Sequence, residues 1–548
     1  MRYGILLLLA ACSAAARVPP ARFANAPAVD AVNDRLDVPD PPSKRVFFEH
    51  LYHYDGLVQR RMTRALELHP PTRARGTNAL DEVPDSTWFT NRIGIRDLSL
   101  DEVRRGANRI DSPELHRPWA VKSTKTGGSE VGFIVVDSRG EKFLLKFDAK
   151  GVPEQETATH VIVGKILWSC GYNVTEDYIV HFRLEDLVLA KGAYIKDGET
   201  EAKRPLHEDE LERRLAQIER EPDGSFRALA SRWLPGQPLG GPPAEAVRED
   251  DPNDRIPHEL RRDLRGFYSI AAWLDHEDIQ ESNFLDLWVA DPSDAQRHYV
   301  KHYLIDFGKS LGVMATTSSD PRRGFEYWFD PSQMSWSLLT AGAVPRHWEQ
   351  REFPRLRGVG AFGLAAFDPG DWFIASPAYV PFTTVDRYDA FWGAKIVMRF
   401  SREQLRAIIS TGQLTDPRAA DYLVDTLVAR QRATGEYWFD RVNPLDRFEV
   451  VGSMVCFDDL ALRYRFTGEI TSYAVTTYDR QGHALGTTGM RAETARTCTP
   501  AVSLAPAGDS YRIVEITTQR STFAGRTLVH MARDPATGGL RVIGVWRP

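Results

Sequence analysis

The chain has 548 residues, of which 42% are hydrophobic and 26% charged. That length exceeds what one hydrophobic core usually organises, so roughly two to four domains are expected, and the composition is that of a folded protein rather than a disordered one. With 69 basic against 75 acidic residues the net charge is -6, which excludes the strong basic excess of a general nucleic-acid binder.

In chain order, the first element is a short leader. Met1-Arg2-Tyr3 is a positive start and Gly4 through Ala11 is apolar. A brief charged stretch, a short apolar core and small residues describe a secretory signal, too short to span a bilayer. Leu9-Ala10-Ala11-Cys12 resembles the bacterial lipoprotein signal. The resemblance implies residues 1–12 as that signal, with Cys12 lipidated and the protein exported and anchored to the cell-envelope membrane through the lipid. Ser13 resembles cargo sent to the outer membrane, facing periplasm or cell surface. Residues 13–45, rich in Ala, Pro and Val, read as a flexible tether. Residues 46–117 read as an extension that is helical from Arg45 to Leu68, then loop-rich around Asp81 to Arg92.

Short alternating strands with one helix between them are predicted over 118–240. Trp119 to Val136 reads as strand, turn, strand, with Gly127 and Gly128 in the turn. Glycines there let backbone N–H groups approach a phosphate, although an ordinary hairpin uses them too. The third strand, Lys142 to Asp148, carries Lys146 at an interior position. A lysine inside an apolar strand is unfavourable to bury without a partner, which marks it as functional. Pro153-Glu154-Gln155-Glu156 then opens a helix with proline and acid in its first turn, and Gly171 closes it. Arg227 to Gln237 reads as a strand running into a hinge.

A mostly helical part is predicted over 241–443, and its start holds the chemistry. Phe284 to Ala290 and His298 to Ile305 read as two strands joined by the turn residues Asp291-Pro-Ser-Asp. A hairpin brings the residue before its first strand next to the residue after its second, so Asn283 and Asp306 are expected to meet at its open end, with Asp278 in the loop above. Two carboxylates and an amide oxygen converging on one point suit a hard cation such as Mg²⁺.

Here the chain resembles the protein-kinase superfamily. His276-Glu277-Asp278 followed by Asn283 has the spacing of the catalytic loop, and Asp306-Phe307-Gly308 has the form of the metal-binding triplet. The resemblance implies an α+β bilobal protein-kinase-like fold, with a β-rich N-lobe (118–240) and a helical C-lobe (241–443), using ATP and Mg²⁺. It implies Asp278 as the base or orienting carboxylate, Asn283 and Asp306 as metal ligands, and Gly127, Gly128 and Lys146 as phosphate-side residues. The lysine's helix partner is Glu154 or Glu156; the resemblance of Pro153-Glu154 to divergent kinases favours Glu154. No Ala-Pro-Glu motif follows, and Glu277 stands where arginine is usual. The chain therefore looks more like HipA-type, CotH-type, secretory-pathway and phosphoinositide kinases. The reaction implied is phosphate transfer to a protein, lipid or sugar hydroxyl. A nucleotide-binding pseudokinase scaffold and an AMP transferase on a kinase fold remain alternatives.

The remaining features carry less chemistry. Arg402 to Ile409 and Ala419 to Val428 are amphipathic helices explained by packing. The aromatic segments around Trp328, Trp336, Trp372 and Trp392 read as core before carbohydrate platform. His53, His116 and His160 are scattered without a Ser/His/Asp order. Residues 444–548 read as a small all-β domain, with strands at Phe448–Val451, Leu462–Phe466, Tyr473–Tyr478, Tyr511–Ile516 and Leu540–Val545. Cys456 and Cys498 lie in it, either as a disulfide or as two small core residues; with Cys170 they give no zinc-ligand spacing.

Overall fold

The computed structural model describes residues 18–64, 72–125, 131–196, 202–313, 324–326, 330–346, 348–349, 353–374, 379–468, 470–502 and 510–548. The expectations for Cys12, Gly127, Gly128 and Trp328 fall outside them. The chain divides into two compact units. One comprises Ala31–Gly76 and Val83–Trp438; the other, the C-terminal residues from Phe439 with Thr77–Glu82 and the segment up to Asp30.

In the larger unit, β1 (Trp119–Thr124), β2 (Gly132–Val136) and β3 (Lys142–Lys146) form an antiparallel meander. With β4 (Asp177–Phe182), β5 (Leu187–Lys196), β6 (Lys203–Pro205) and β7 (Phe226–Arg232) they make a seven-stranded sheet of order β4-β7-β3-β2-β1-β5-β6. Side chains alternate across a strand. Phe143 and Leu145 join Trp119, Val121, Phe133 and Val135 in the core on one face. Lys146 has the opposite parity and sits across from Leu229 of β7. Leu229 packs with Val161 and Ile179, so α1 (Gln155–Cys170) covers the face that carries Lys146. A second helix, Glu208–Leu215, adds to the single one expected in this stretch.

The helix α1 is buried on almost all sides, polar residues included. Asp148 accepts the Thr157 N–H and hydroxyl at 2.9 and 2.8 Å, which satisfies its first turn. Gly171 closes it at φ 133, where a Cβ would lie 2.3 Å from the Phe89 ring.

Downstream, α2 (Arg262–Leu274) is buried throughout and packs on α3 (Arg387–Val397). Their approach is backbone on backbone: a Cβ on Gly393 would fall 2.1 Å from the Gly266 carbonyl oxygen. Arg262 pairs with the buried Asp389 at 2.7 Å. α4 (Pro417–Phe439) locks the end of α2, with Arg430 donating to the Ala272 and Trp273 carbonyls. β8 (Gln237–Pro238), β9 (Phe284–Asp291) and β10 (Asp294–Leu304) form a three-stranded sheet of order β10-β9-β8. Its buried Asp286 holds His302 at 2.7 Å and Arg248 at 3.1 Å.

The described part of 13–45 is not a free tether. Val38 N–H donates to the His298 carbonyl at 2.7 Å and receives the Trp288 indole at its own carbonyl, while Arg45 N–H donates to Leu239. Val18 and Ala21 donate to Gly482 and Arg480 in the β unit. Extended backbone lying on a folded surface has its polar groups satisfied there, so composition alone misjudges it. The helical stretch of the extension covers Glu49 to Arg64 in three short pieces.

The β unit begins near Phe439 rather than at residue 444. β11 (Leu445–Val451), β12 (Met454–Asp459) and β15 (Arg496–Cys498) form one sheet; β13 (Thr471–Tyr478), β14 (Ala484–Ala492), β16 (Arg512–Gln519), β17 (Ala524–Arg533) and β18 (Leu540–Trp546) form another, of order β14-β13-β16-β17-β18. The stretch Leu462–Phe466 is not a strand. Asp459 accepts the Ala461 and Leu462 N–H groups, starting the helical turn Leu460–Arg463. Cys456 and Cys498 face each other across β12 and β15 and are disulfide-bonded; Cys170 is a buried thiol.

Candidate functional site

The hairpin puts the expected residues at one end. Phe284 pairs with Leu304, and Ile305 N–H donates to the Asn283 carbonyl at 2.9 Å. Asn283 thus lies opposite Ile305, and Asp306 is the next residue beyond that pair. The Asn283 side-chain nitrogen donates to the Asp278 carbonyl at 2.6 Å, so its amide oxygen remains as an acceptor. Asp306 has a left-handed backbone, φ 63, which a non-glycine residue adopts only when its surroundings hold it there.

Lys146 supplies much of that hold. It is 6% exposed, and its Nζ lies 2.8 Å from Asp306 Oδ1. Burial by itself would raise the Asp306 carboxyl, but the Lys146 and His160 charges prevail and keep it far below the usual carboxylate range. Asp278 Oδ2 meets Lys309 Nζ at 3.0 Å. Lys309 follows the Asp306-Phe307-Gly308 triplet directly, so one loop carries both the cation at Asp278 and the carboxylate at Lys146.

The helix contributes differently from expectation. Glu154 does not partner Lys146. It sits at the helix start with φ 67, fully buried, and bonds Arg357 at 2.5 Å and the Thr415 N–H and hydroxyl at 2.9 and 2.6 Å. Burial raises its carboxyl, yet these donors leave it lowered. The left-handed Glu154 turns the chain before helical phase begins, so Glu156 is the acid that faces the triplet: a Cβ on Gly308 would fall 2.5 Å from Glu156 Cγ.

One helical turn later, His160 joins the site. Its Nδ1 is 3.3 Å from the Phe307 N–H and 3.9 Å from Asp306 Oδ1, while its Nε2 is 3.5 Å from the buried Asp177. Asp177 is raised by burial, but His160, Ser231 and Thr175 bring it below its ordinary value. Phe307 is fully buried between His160 and His276 and against Gly164. His276 bonds Ser310 Oγ at 2.9 Å, and burial lowers its pKa to about 4. Glu277, in the position where arginine is usual, is buried.

Glu156, the second of the two acids weighed as the lysine's partner, is the one that faces the triplet, and two contributors, His160 and Lys309, were given no role from the sequence. Glu156 and His160 share a helix face at i, i+4, and Lys309 stands immediately after the triplet; these spacings were the available signals. Of the aromatic segments, Trp392 is core, Trp336 is half exposed, and Trp372 is buried with its indole donating to Asp275 at 2.9 Å. Trp372 also lines a cavity of about 570 Å³ with Tyr268, Phe367, Phe382 and Trp438.

Among the described residues no group of three or more His, Cys, Asp or Glu side chains could hold a metal ion. Asn283 and Asp306 nevertheless fit a hard cation that draws its other ligands from phosphate and water, since Asp306 presents a second carboxylate oxygen beyond the one facing Lys146. Also among the described residues, no helix is long and apolar enough to cross a membrane.

No protein-family model matches the chain, and no curated protein matches it. Among solved structures, a Golgi casein kinase with Mn and ADP bound is 9% identical, over 62% of this chain and 74% of that one, with a TM-score of 0.30. Another Golgi casein kinase structure gives 8%, 62% and 73%, with a TM-score of 0.28. The Rio2 kinase–ADP/Mg²⁺–phosphoaspartate complex from Chaetomium thermophilum gives 15%, 57% and 72%, with a TM-score of 0.21. These scores are too low to carry weight. The α+β, kinase-like character of the larger unit rests on its own elements: a strand lysine, a helix behind it, and a hairpin whose ends hold Asn283 and Asp306.

Proposed function

We propose that the chain is an atypical ATP- and metal-dependent phosphotransferase acting on a protein, lipid or sugar hydroxyl in the cell envelope. The observation that carries this reading is the Lys146–Asp306 pair at 2.8 Å, closed over a hairpin end that also presents Asn283 and Asp278. In the reaction proposed, the acceptor oxygen bonds to the γ-phosphorus, the bond from that phosphorus to the ADP oxygen breaks, and the hydroxyl proton passes to Asp278. Asn283 and Asp306 would hold the divalent ion, which when bound would neutralise phosphate charge. Lys146 orients the phosphates from the strand side, and Lys309 places a second cation beside the base. Cys12 is proposed as the lipid attachment point; loss of radiolabelled palmitate incorporation in Cys12→Ser would be the supporting result.

The test uses γ- and α-labelled ATP with Mg²⁺, beside Asp278→Ala and Asp306→Ala. Transfer of the γ label alone, lost in both variants, supports the phosphotransferase. Transfer of the α label would replace it with AMP transfer, and neither label with no nucleotide binding would leave an interaction scaffold.

A further inference from the structure

Beyond the hairpin site, the larger unit contains a second cavity, of about 540 Å³, lined by Arg92, Arg105, Arg109, Lys301, Trp168 and Tyr303 among others. Its charge is one-sided. Among the described residues, the Arg92 side chain donates to the Trp168 and Tyr172 carbonyls, at 2.6 and 3.1 Å. Among the described residues, neither Arg92, Arg105 nor Lys301 has a carboxylate within ion-pair distance; Arg109 has a loose one, Glu176 at 3.6 Å, which Arg232 holds more closely at 2.9 Å. Desolvation, and after it the charges of Arg109, Arg35 and Arg92, lower Lys301 to about 8. Burial likewise lowers Arg92 to about 10.

The scaffold around these cations is fixed rather than loose. Lys165 Nζ bonds the Arg105 carbonyl at 3.0 Å, closing the helix Leu100–Arg105. Gly106 turns there at φ 58, where a Cβ would strike Lys165. Asn108 exchanges two hydrogen bonds with the Asp177 backbone at 2.9 and 3.0 Å. Arg92 and Lys301 are half-buried, whereas Arg105 and Arg109 are exposed at the rim. The opposing charge acting on Arg92 is Asp85, and an anion held among the four would offset the desolvation of the two inner cations. Guanidinium forks and an ammonium around one concavity suit phosphate oxygens, and Trp168 and Tyr303 give the ligand an apolar wall.

We propose that this cavity binds a phosphate-bearing ligand at a site separate from the nucleotide site. The shared chemistry is a phosphate or diphosphate group, carried by a soluble molecule or by a lipid headgroup.

The experiment measures calorimetric binding of inorganic pyrophosphate to the full chain in EDTA, which removes metal-dependent binding at the hairpin. Saturable binding is expected. Lys301→Gln should weaken it by about tenfold or more, the loss of one charge-assisted contact, and Lys301→Gln with Arg105→Gln and Arg109→Gln should abolish it. Asp306→Asn should leave it unchanged. Thermal melting of each variant separates lost binding from lost folding. A second arm sediments the protein with phosphatidic acid or phosphatidylcholine vesicles; Lys301-dependent retention on the former alone, without pyrophosphate binding, assigns the headgroup as the source. Absence of both kinds of binding overturns the proposal, as does binding that survives the triple variant or disappears in Asp306→Asn. Because no step uses ATP, these outcomes are independent of the phosphotransferase reading.

Discussion

At the scale of residues, Lys146 and Asp306 are the interaction to perturb first. Lys146→Met should remove nucleotide-dependent transfer by roughly a thousandfold while leaving the chain folded, because the methionine fills the same buried stem; a circular dichroism melt beside an ATPase or transfer assay checks both halves. Lys309→Met should act more mildly, lowering kcat about 10- to 100-fold with little change in the KM for ATP. Its ammonium faces Asp278. His276 gives a pH signature. Burial holds it at about 4 in the folded protein, below the free histidine value near 6.5, so the unfolded state binds more protons between these limits. Stability from this group is full above about 6.5 and falls as pH drops toward 4, by about 3 kcal/mol in all. Denaturant melts of wild type and His276→Gln across that window should show the slope shrink in the variant.

At the scale of elements, the contacts that allow no side chain are the sensitive ones. Gly266→Ala places a Cβ 2.3 Å from the Trp392 ring and 3.0 Å from a backbone oxygen; prising α2 from α3 should destabilise by about 3 kcal/mol, the upper range for overpacking, visible as a lowered Tm. The hairpin was the most legible element, because the Asp291-Pro-Ser-Asp turn and two apolar runs fix its register, and register fixes what lies at its ends. The helix was legible as a helix but not in phase. Pro153 and the run of acids mark its beginning, yet the left-handed Glu154 sets which acid points inward, and no propensity encodes that. In the β unit, Tyr473–Tyr478 announced itself by alternation. β14 did not, since its Gly- and Thr-rich sequence is mostly exposed and lacks an apolar period. Leu462–Phe466 imitates a strand by alternation, but Asp459 at its doorstep caps a turn, a local signal that overrides the pattern.

At the scale of the whole molecule, the Cys456–Cys498 bond closes 42 residues of the β unit. In the chain-entropy treatment such a loop contributes about 4 kcal/mol. Reduction, or the paired Cys→Ser variant, should lower the melting of that unit, as followed by hydrogen exchange in β12 and β16. The bond also fits an oxidising compartment, which supports the proposed export.

The attachment of the residues from Val18 onward has a mechanical meaning. Val18 is fastened by its N–H to Gly482, and Ala21 to Arg480. Six Cα steps separate Cys12 from Val18, a reach of about 20 Å when fully drawn out. If Cys12 carries the proposed lipid, the chain has a short leash rather than a long one. The β unit, where that leash is tied, would then stay within about 20 Å of the headgroups, and membrane proximity would be a property of that unit first.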